Sequence, residues 1–223
     1  MIEPASPSIE PASPVIEPVE IILLRHGRTA WNDEGRAQGQ TDVELDPTGH
    51  AQAEAAARVL AERAPSRLVS SDLARALQTA AYLERATGLP AEHDPRLREI
   101  HWGVREGLTL AEFQAAHPGE YARWEASGRV VAIEGGESEE QVADRVGRAV
   151  AELLAEARPG ERIVVVSHGG ALKSAVAALL GWPGVEPSRL RAMDNCAWAS
   201  IERRGDRTTL VAYNRAAPPI SHP

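Results

Sequence analysis

Short apolar runs alternate along this chain with longer stretches of helical character. Glu20-Ile21-Ile22-Leu23-Leu24 is a compact apolar block ending at Arg25-His26-Gly27, and predicts a buried parallel strand. Asp46-Pro47 has the form of an N-cap followed by proline at the first helical position, and opens an Ala-rich helix to about Arg63. Arg67-Leu68-Val69 predicts a short strand that stops at Ser70-Ser71-Asp72. A helix from about Leu73 to Thr87 follows, closed by Gly88. From Glu92 to Gly135 the pattern is irregular, except that Thr109-Leu110-Ala111-Glu112 has the spacing of a capping box and predicts a short helix ending before Pro118. Ser138-Glu139-Glu140-Gln141 is a second capping box, opening a helix to about Ala157. Arg162-Ile163-Val164-Val165-Val166 is the clearest strand, followed by a helix from Ala171 to Leu180. Ala197–Arg203 and Thr208–Tyr213 predict two last strands around an Arg204-Gly205-Asp206 turn.

Strand and helix alternate almost throughout. That order predicts an α/β fold: a three-layer α/β/α sandwich with a largely parallel sheet and helices on both faces. Ligands of such sheets bind beyond the carboxyl ends of the strands. Residues 1–19 stand apart. Ile-Glu-Pro-Ala-Ser-Pro occurs at Ile2–Pro7 and again at Ile9–Pro14, and Ile-Glu-Pro returns at Ile16–Pro18. Proline excludes a coiled coil despite the repeat step, so an extended, proline-rich arm is expected before a single domain over residues 20–223.

Composition narrows the function. Of 223 residues, 43% are hydrophobic, enough for a sizeable core, but only 4% are aromatic, so Ala, Val and Leu must do most of the packing. The net charge of -8 argues against a nucleic-acid surface. It leaves room for a small anionic substrate held by a local Arg cluster. The single cysteine, Cys196, excludes an intrachain disulfide and a Cys-based metal site, which makes a reducing, cytoplasmic setting the expectation. No apolar run approaches a membrane span, and no signal-peptide pattern is seen.

The strand ends carry the candidate chemistry. The first strand delivers Arg25 and His26. The strand at 163–166 delivers His168, with Gly169 and Gly170 behind it. The strand at 67–69 delivers Ser70 and Ser71 and leads into a helix whose first turn carries Arg75. Were these strands neighbours, two histidines and two arginines would share one crevice. Arginine offers a planar fork suited to phosphate oxygens. Helix N-termini after Asp72 and Gly170 would add backbone N–H donors. A neutral imidazole can attack phosphorus, and the second histidine can stabilise the charged transition state. A carboxylic acid is still required to protonate the leaving alkoxide.

These residues resemble a known family. Leu24-Arg25-His26-Gly27-Arg28-Thr29-Ala30-Trp31-Asn32 is similar to the Arg-His-Gly-x-Thr-x-x-Asn signature of the histidine phosphatase superfamily, also called phosphoglycerate mutase-like. Four further blocks follow in the family's order: Ser70–Ala80, Leu97-Arg98-Glu99 with Gly103 and Glu106–Thr109, Gly135–Ser138, and Val166–Gly170. The resemblance implies His26 as nucleophile, with Arg25, Arg75 and His168 completing the phosphate pocket and Glu99 as proton donor. It places Asn32 and Thr29 at phosphate-side positions, Gln38, Gly39 and Thr41 on the loop bordering substrate, and Gly169 in the second-histidine block. It implies no metal and no cofactor. Members often dimerise, so a homodimer is compatible with the family, and the sequence leaves oligomeric state open. Arg105 departs from the pattern, since many relatives carry an aromatic there.

Bland readings compete with these roles. Either histidine alone would read as structural, and the pair as metal ligands is disfavoured by the neighbouring arginines. Glu106 competes with Glu99 for the acid. His50, His93, His117 and His222 read as solvated, while His101 is evenly balanced between surface and pocket. Arg189 and Arg191 read as solvated charges, Cys196 as a small buried residue, and Asn195 as a residue bordering the pocket. The segment between Glu99 and Gly135 is modest and the tail after Tyr213 short, where glycolytic mutases have a longer insertion and a tail over the site. Hydrolysis of a small phosphate ester is therefore favoured over mutase chemistry or a non-catalytic phospho-ligand binder. Ala37–Asp42 and Asn195–Trp198 look most like the glucosyl-3-phosphoglycerate phosphatase-type and broad-specificity members, with phosphoserine, α-ribazole phosphate and sugar phosphates as other candidates.

Overall fold

The computed structural model describes residues 17–127, 132–182 and 190–218. Most of the proline-rich arm, and with it Arg189 and His222, lies outside the described residues. At the arm's end, Val19 already belongs to the first strand.

A six-stranded sheet with order β3-β2-β4-β1-β5-β6 organises the chain. β1 (Val19–Arg25), β2 (Arg67–Ser70), β3 (Ala91–His93) and β4 (Arg162–Ser167) run parallel to one another. β5 (Trp198–Arg204) is antiparallel to β1, and β6 (Arg207–Arg215) is antiparallel to β5 across a tight turn. Period-two alternation divides β1 between two cores. Ile21 and Leu23 face a cluster with Val142, Val146, Val150, Leu172 and Val176 of α6 (Glu139–Glu156) and α7 (Gly169–Leu179). Ile22 and Leu24 face the other way, onto Ala53, Leu60, Ala76 and Leu83 of α2 (Pro47–Ala61) and α3 (Ala74–Thr87). Both faces of the central strands are buried, giving the three-layer α/β/α sandwich expected from the sequence.

Local chemistry sets the helix ends. Asp46 caps α2, its carboxylate accepting from the Gly49 N–H at 2.7 Å, with Pro47 in the first turn. Thr109 and Ser138 form the two expected capping boxes on α4 (Leu110–Ala116) and α6. Gly88 closes α3 in the left-handed region. Four elements depart from the expectations. Pro118, read as a stop, also opens α5 (Pro118–Ser127), since a first-turn proline sacrifices no helical hydrogen bond. α1 (Ala30–Asp33) is one turn, capped by Thr29. β3 is a polar three-residue edge strand with no apolar signature. α7 starts two residues earlier than its apolar stripe, directly after His168.

Candidate active site

The carboxyl ends of β1, β4 and β2 lie side by side, so the condition for a shared crevice is met. The pairing runs one residue past β1, where the His26 N–H donates to the Ser167 carbonyl at 2.9 Å. His26 and His168 are both buried, with ring centroids 5.2 Å apart.

The partners of each ring fix its tautomer. His26 Nδ1 lies 2.7 Å from the Gly27 carbonyl, which can only accept, so Nδ1 carries the proton and Nε2 the lone pair. Arg75 Nε donates to His168 Nδ1 at 3.2 Å, so His168 keeps its proton on Nε2 and donates it to Ser71 Oγ at 2.8 Å. Burial first, then Arg75, hold both imidazoles well below the ordinary value of 6.5; Arg25 adds to this for His26 and, after His26 itself, for His168. Both rings are neutral at physiological pH.

The two guanidinium groups are held differently. Arg75 is fully buried, donating through Nη2 to the Gly39 carbonyl at 2.7 Å and through Nη1 to the Thr41 carbonyl at 2.9 Å. Burial pushes its pKa down to about 10, which leaves it charged at neutral pH. Arg25 donates through Nη1 to the Met193 carbonyl at 2.5 Å, while its buried Nε has no hydrogen-bond partner. A buried, unpaired donor on a cation is costly and suits an incoming anion. Burial lowers the Arg25 pKa, partly offset by Glu99.

Glu99 sits at the start of α7. Its Oε1 accepts from Ile100 N–H at 3.0 Å and Ala171 N–H at 2.9 Å, and its Oε2 from Gly170 N–H at 3.0 Å. The helix N-terminus expected to meet a ligand is thus occupied by this carboxylate, which is favourable against the helix dipole. Gly170 makes the approach possible: a Cβ there would stand 2.7 Å from Glu99 Oε1 and 2.6 Å from Ile100 Cδ1. The other expected helix end also differs. Asp72 pairs bidentately with Arg98, at 2.7 and 2.5 Å, and the first turn of α3 instead receives Asp42, which accepts from Ala74 N–H at 2.6 Å.

Glu106 is committed elsewhere. It accepts from the backbone N–H groups of Gln40, Thr41 and Trp102 and from the Thr41 hydroxyl, and so holds the loop at 38–41 against the segment after Glu99. Gly39, at φ 55°, packs onto that carboxylate with no room for a Cβ. Gln38 is buried and its Oε1 is unpartnered. Thr29 is fully buried and spends its side chain on α1, exchanging hydrogen bonds with Asn32. Asn32 Oδ1 also accepts from Asn195 Nδ2, which donates in addition to the His26 carbonyl at 3.1 Å. Gly169 lies against the Arg25 side chain.

Several positioning residues carried no local signal. Arg145 of α6 donates to the carbonyls of Arg96, Arg98 and Glu99 and pairs with Glu137, fixing the segment that carries Glu99. Thr79 Oγ1 accepts from the Gly27 N–H at 3.0 Å, tying the His26 loop to α3. Among the remaining histidines, His93 is exposed, but His50 is half-buried with Nδ1 3.2 Å from the Tyr82 hydroxyl, and His117 packs on Phe113. His101 accepts from the Gly103 N–H and serves its own loop. Arg191 is exposed near Asp194. Cys196 is buried, and burial pushes its thiol up to about 12.

A cavity of about 260 Å³ opens from this centre, with Arg25, Glu99, Gly169 and Gly170 in its wall. A larger one, about 480 Å³, lies between α2, the Asn195-Cys196 turn and residues 216–218. The smaller holds the charged groups and is the one the chemistry selects.

Two buried neutral imidazoles, two guanidinium groups and a carboxylate gather beyond the carboxyl ends of the central strands, a set suited to binding phosphate. The model of the histidine phosphatase superfamily (branch 1) matches residues 21–216, and the chain belongs to that family as a phosphoric monoester hydrolase. It is 43% identical over 187 residues to a glucosyl-3-phosphoglycerate phosphatase from Mycolicibacterium vanbaalenii, covering 81% of this chain and 83% of the relative. A probable phosphoglycerate mutase from Salmonella paratyphi C is 36% identical over 187 residues, with 82% and 85% covered. Among solved structures, a mycobacterial glucosyl-3-phosphoglycerate phosphatase complexed with VO3 superposes with a TM-score of 0.81 at 41% identity, covering 88% of this chain and 99% of that one.

Proposed function

We propose that this chain hydrolyses a phosphorylated sugar or phosphoglycerate derivative through a phosphate carried on His26. The carrying observation is the His26 Nδ1 contact with the Gly27 carbonyl, which directs the lone pair to Nε2 in a crevice shared with Arg25, Arg75 and His168. Nε2 attacks phosphorus, and the ester oxygen leaves on the far side. Arg25 Nε and the Arg75 guanidinium bind the equatorial oxygens, and His168 orients the Arg75 guanidinium through its Nδ1. Glu99 gives its proton to the departing alkoxide, then takes one from the water that releases phosphate from His26. Asn32, Thr29, Gln38, Gly39, Thr41 and Gly169 frame this pocket. Gly39 and Thr41 act through the carbonyls that grip Arg75, and Thr29 through the turn that holds Asn32.

Relatives of both hydrolase and mutase name match most of this chain in sequence, and the modest segment after Glu99 favours water as the acceptor. A reducing, cytoplasmic setting fits the single buried thiol. The test is phosphate release from p-nitrophenyl phosphate, then from a panel of esters including 3-phosphoglycerate and glucosyl-3-phosphoglycerate, with EDTA present. Wild-type turnover that vanishes in His26→Ala supports the reading. Release that survives in His26→Ala, or none from any ester by wild type, overturns it.

A further inference from the structure

The cavity beside Glu99 extends past the phosphate groups to Trp102 and Lys173. We propose that it is the leaving-group subsite, in which Lys173 receives a carboxylate on the alcohol and Trp102 packs against a sugar ring. This rests on the phosphatase reading, because the leaving group must lie on the Glu99 side of the phosphate.

Three observations carry it. First, the wall is continuous: Arg25, Glu99 and Gly170 belong both to the reacting centre and to this cavity. Second, Lys173 stands on α7 one turn after Gly169 and Gly170, on the same helix face, so its ammonium is directed to the end of the helix where Glu99 sits. It is partly buried, and desolvation lowers its pKa while Glu99 and Glu139 oppose that. The ammonium is not bare, since Glu99 and Glu139 share the cavity wall; a substrate carboxylate would join them at a desolvated cation, where attraction exceeds that at a surface lysine. Third, Trp102 is braced by the core cluster and by a guanidinium. The Arg105 guanidinium lies 4.9 Å from the Trp102 ring centroid, 4.9 Å from that of Trp124 and 5.8 Å from that of Phe113. No carboxylate pairs with Arg105 among the described residues, and burial lowers its pKa. Its role is to stack, and the stack presents Trp102 as a rigid wall. An alcohol bearing both a carboxylate and a pyranose would meet a cation and a flat apolar face together.

Two matched ester pairs separate the parts. 3-Phosphoglycerate and glycerol 3-phosphate differ by a carboxylate against a hydroxymethyl group; glucosyl-3-phosphoglycerate and 3-phosphoglycerate differ by the sugar. The readout is the kcat/KM ratio within each pair, which cancels losses common to both esters. Lys173→Met is expected to lower the carboxylate ratio about tenfold or more, and Lys173→Arg to restore most of it. Trp102→Ala is expected to lower the sugar ratio by about tenfold, and Arg105→Met to lower it in the same direction without moving the carboxylate ratio. Ratios that stay at the wild-type value in Lys173→Met and Trp102→Ala, while wild type remains active and His26→Ala is dead, overturn the subsite and leave the phosphatase reading standing. A wild-type protein inactive on every ester overturns both.

Discussion

Replacing Glu99 by Gln keeps the shape of the side chain and removes its proton chemistry. The carboxylate accepts three backbone N–H bonds, two on Oε1 and one on Oε2. A glutamine oxygen in the Oε1 position keeps the Ile100 and Ala171 bonds, while its NH2 faces the Gly170 N–H and leaves that donor unpaired. The structural cost is therefore one buried donor, about 1–3 kcal/mol, and should appear as a lowered melting temperature. The chemical cost depends on the leaving group. An alkoxide needs a proton, and a positioned general acid is worth about 10²–10⁴-fold. A p-nitrophenolate departs without one, so its first step should fall by less than about tenfold. The assay is single-turnover phosphoryl transfer from p-nitrophenyl phosphate and from an alkyl phosphate, in wild type, Glu99→Gln and Glu106→Gln. Glu106 makes four loop contacts, so its variant should weaken both substrates together through the loop at 38–41. Equal losses on the two substrates in Glu99→Gln, or leaving-group dependence in Glu106→Gln instead, would refute the assignment.

Other outcomes follow from the same geometry. Gly170→Ala puts a Cβ 2.7 Å from Glu99 Oε1 and should cost about 100-fold in kcat on alkyl esters, a displacement effect that a crystal structure of the variant would show. Arg75→Lys loses the fork that spans Gly39, Thr41 and His168, and kcat/KM should drop by about 100-fold or more; near-normal activity would contradict the phosphate-clamp role. His26 and His168 are held neutral in the fold, so below about pH 6.5 the unfolded chain binds protons that the native one refuses. Stability should then fall with decreasing pH by up to about 1.4 kcal/mol per histidine per pH unit, read by urea unfolding, and a flat profile would contradict it. The Cys196 thiol, buried and raised to about 12, should resist thiol reagents in the native state and react on unfolding.

The sequence displayed whatever rests on local chemistry. Ile21–Leu24 and Ile163–Val166 announce central strands because burial on both faces demands continuous apolar residues. The caps at Asp46, Thr109 and Ser138 are legible because each is completed within one turn. The histidines and arginines are legible because they follow strand ends. Contacts between distant segments left no trace. Nothing near Asp42 signals that it accepts from Ala74, and nothing near Arg145 that it grips three carbonyls before and at Glu99. β3 escaped because an edge strand of Ala-Glu-His buries too little to alternate. Arg105, visible only as a departure from family habit, acquires a physical role once three aromatic rings are seen around it.

The central claim is a covalent phosphate on one particular ring. The most direct test is rapid acid-free quenching during turnover, followed by peptide mapping for an alkali-stable, acid-labile phosphate. The account predicts phosphate on the peptide bearing His26, absent from His26→Ala and accumulating in Glu99→Gln with p-nitrophenyl phosphate. Phosphate on the His168 peptide, or turnover with no phosphopeptide at any time, would contradict it.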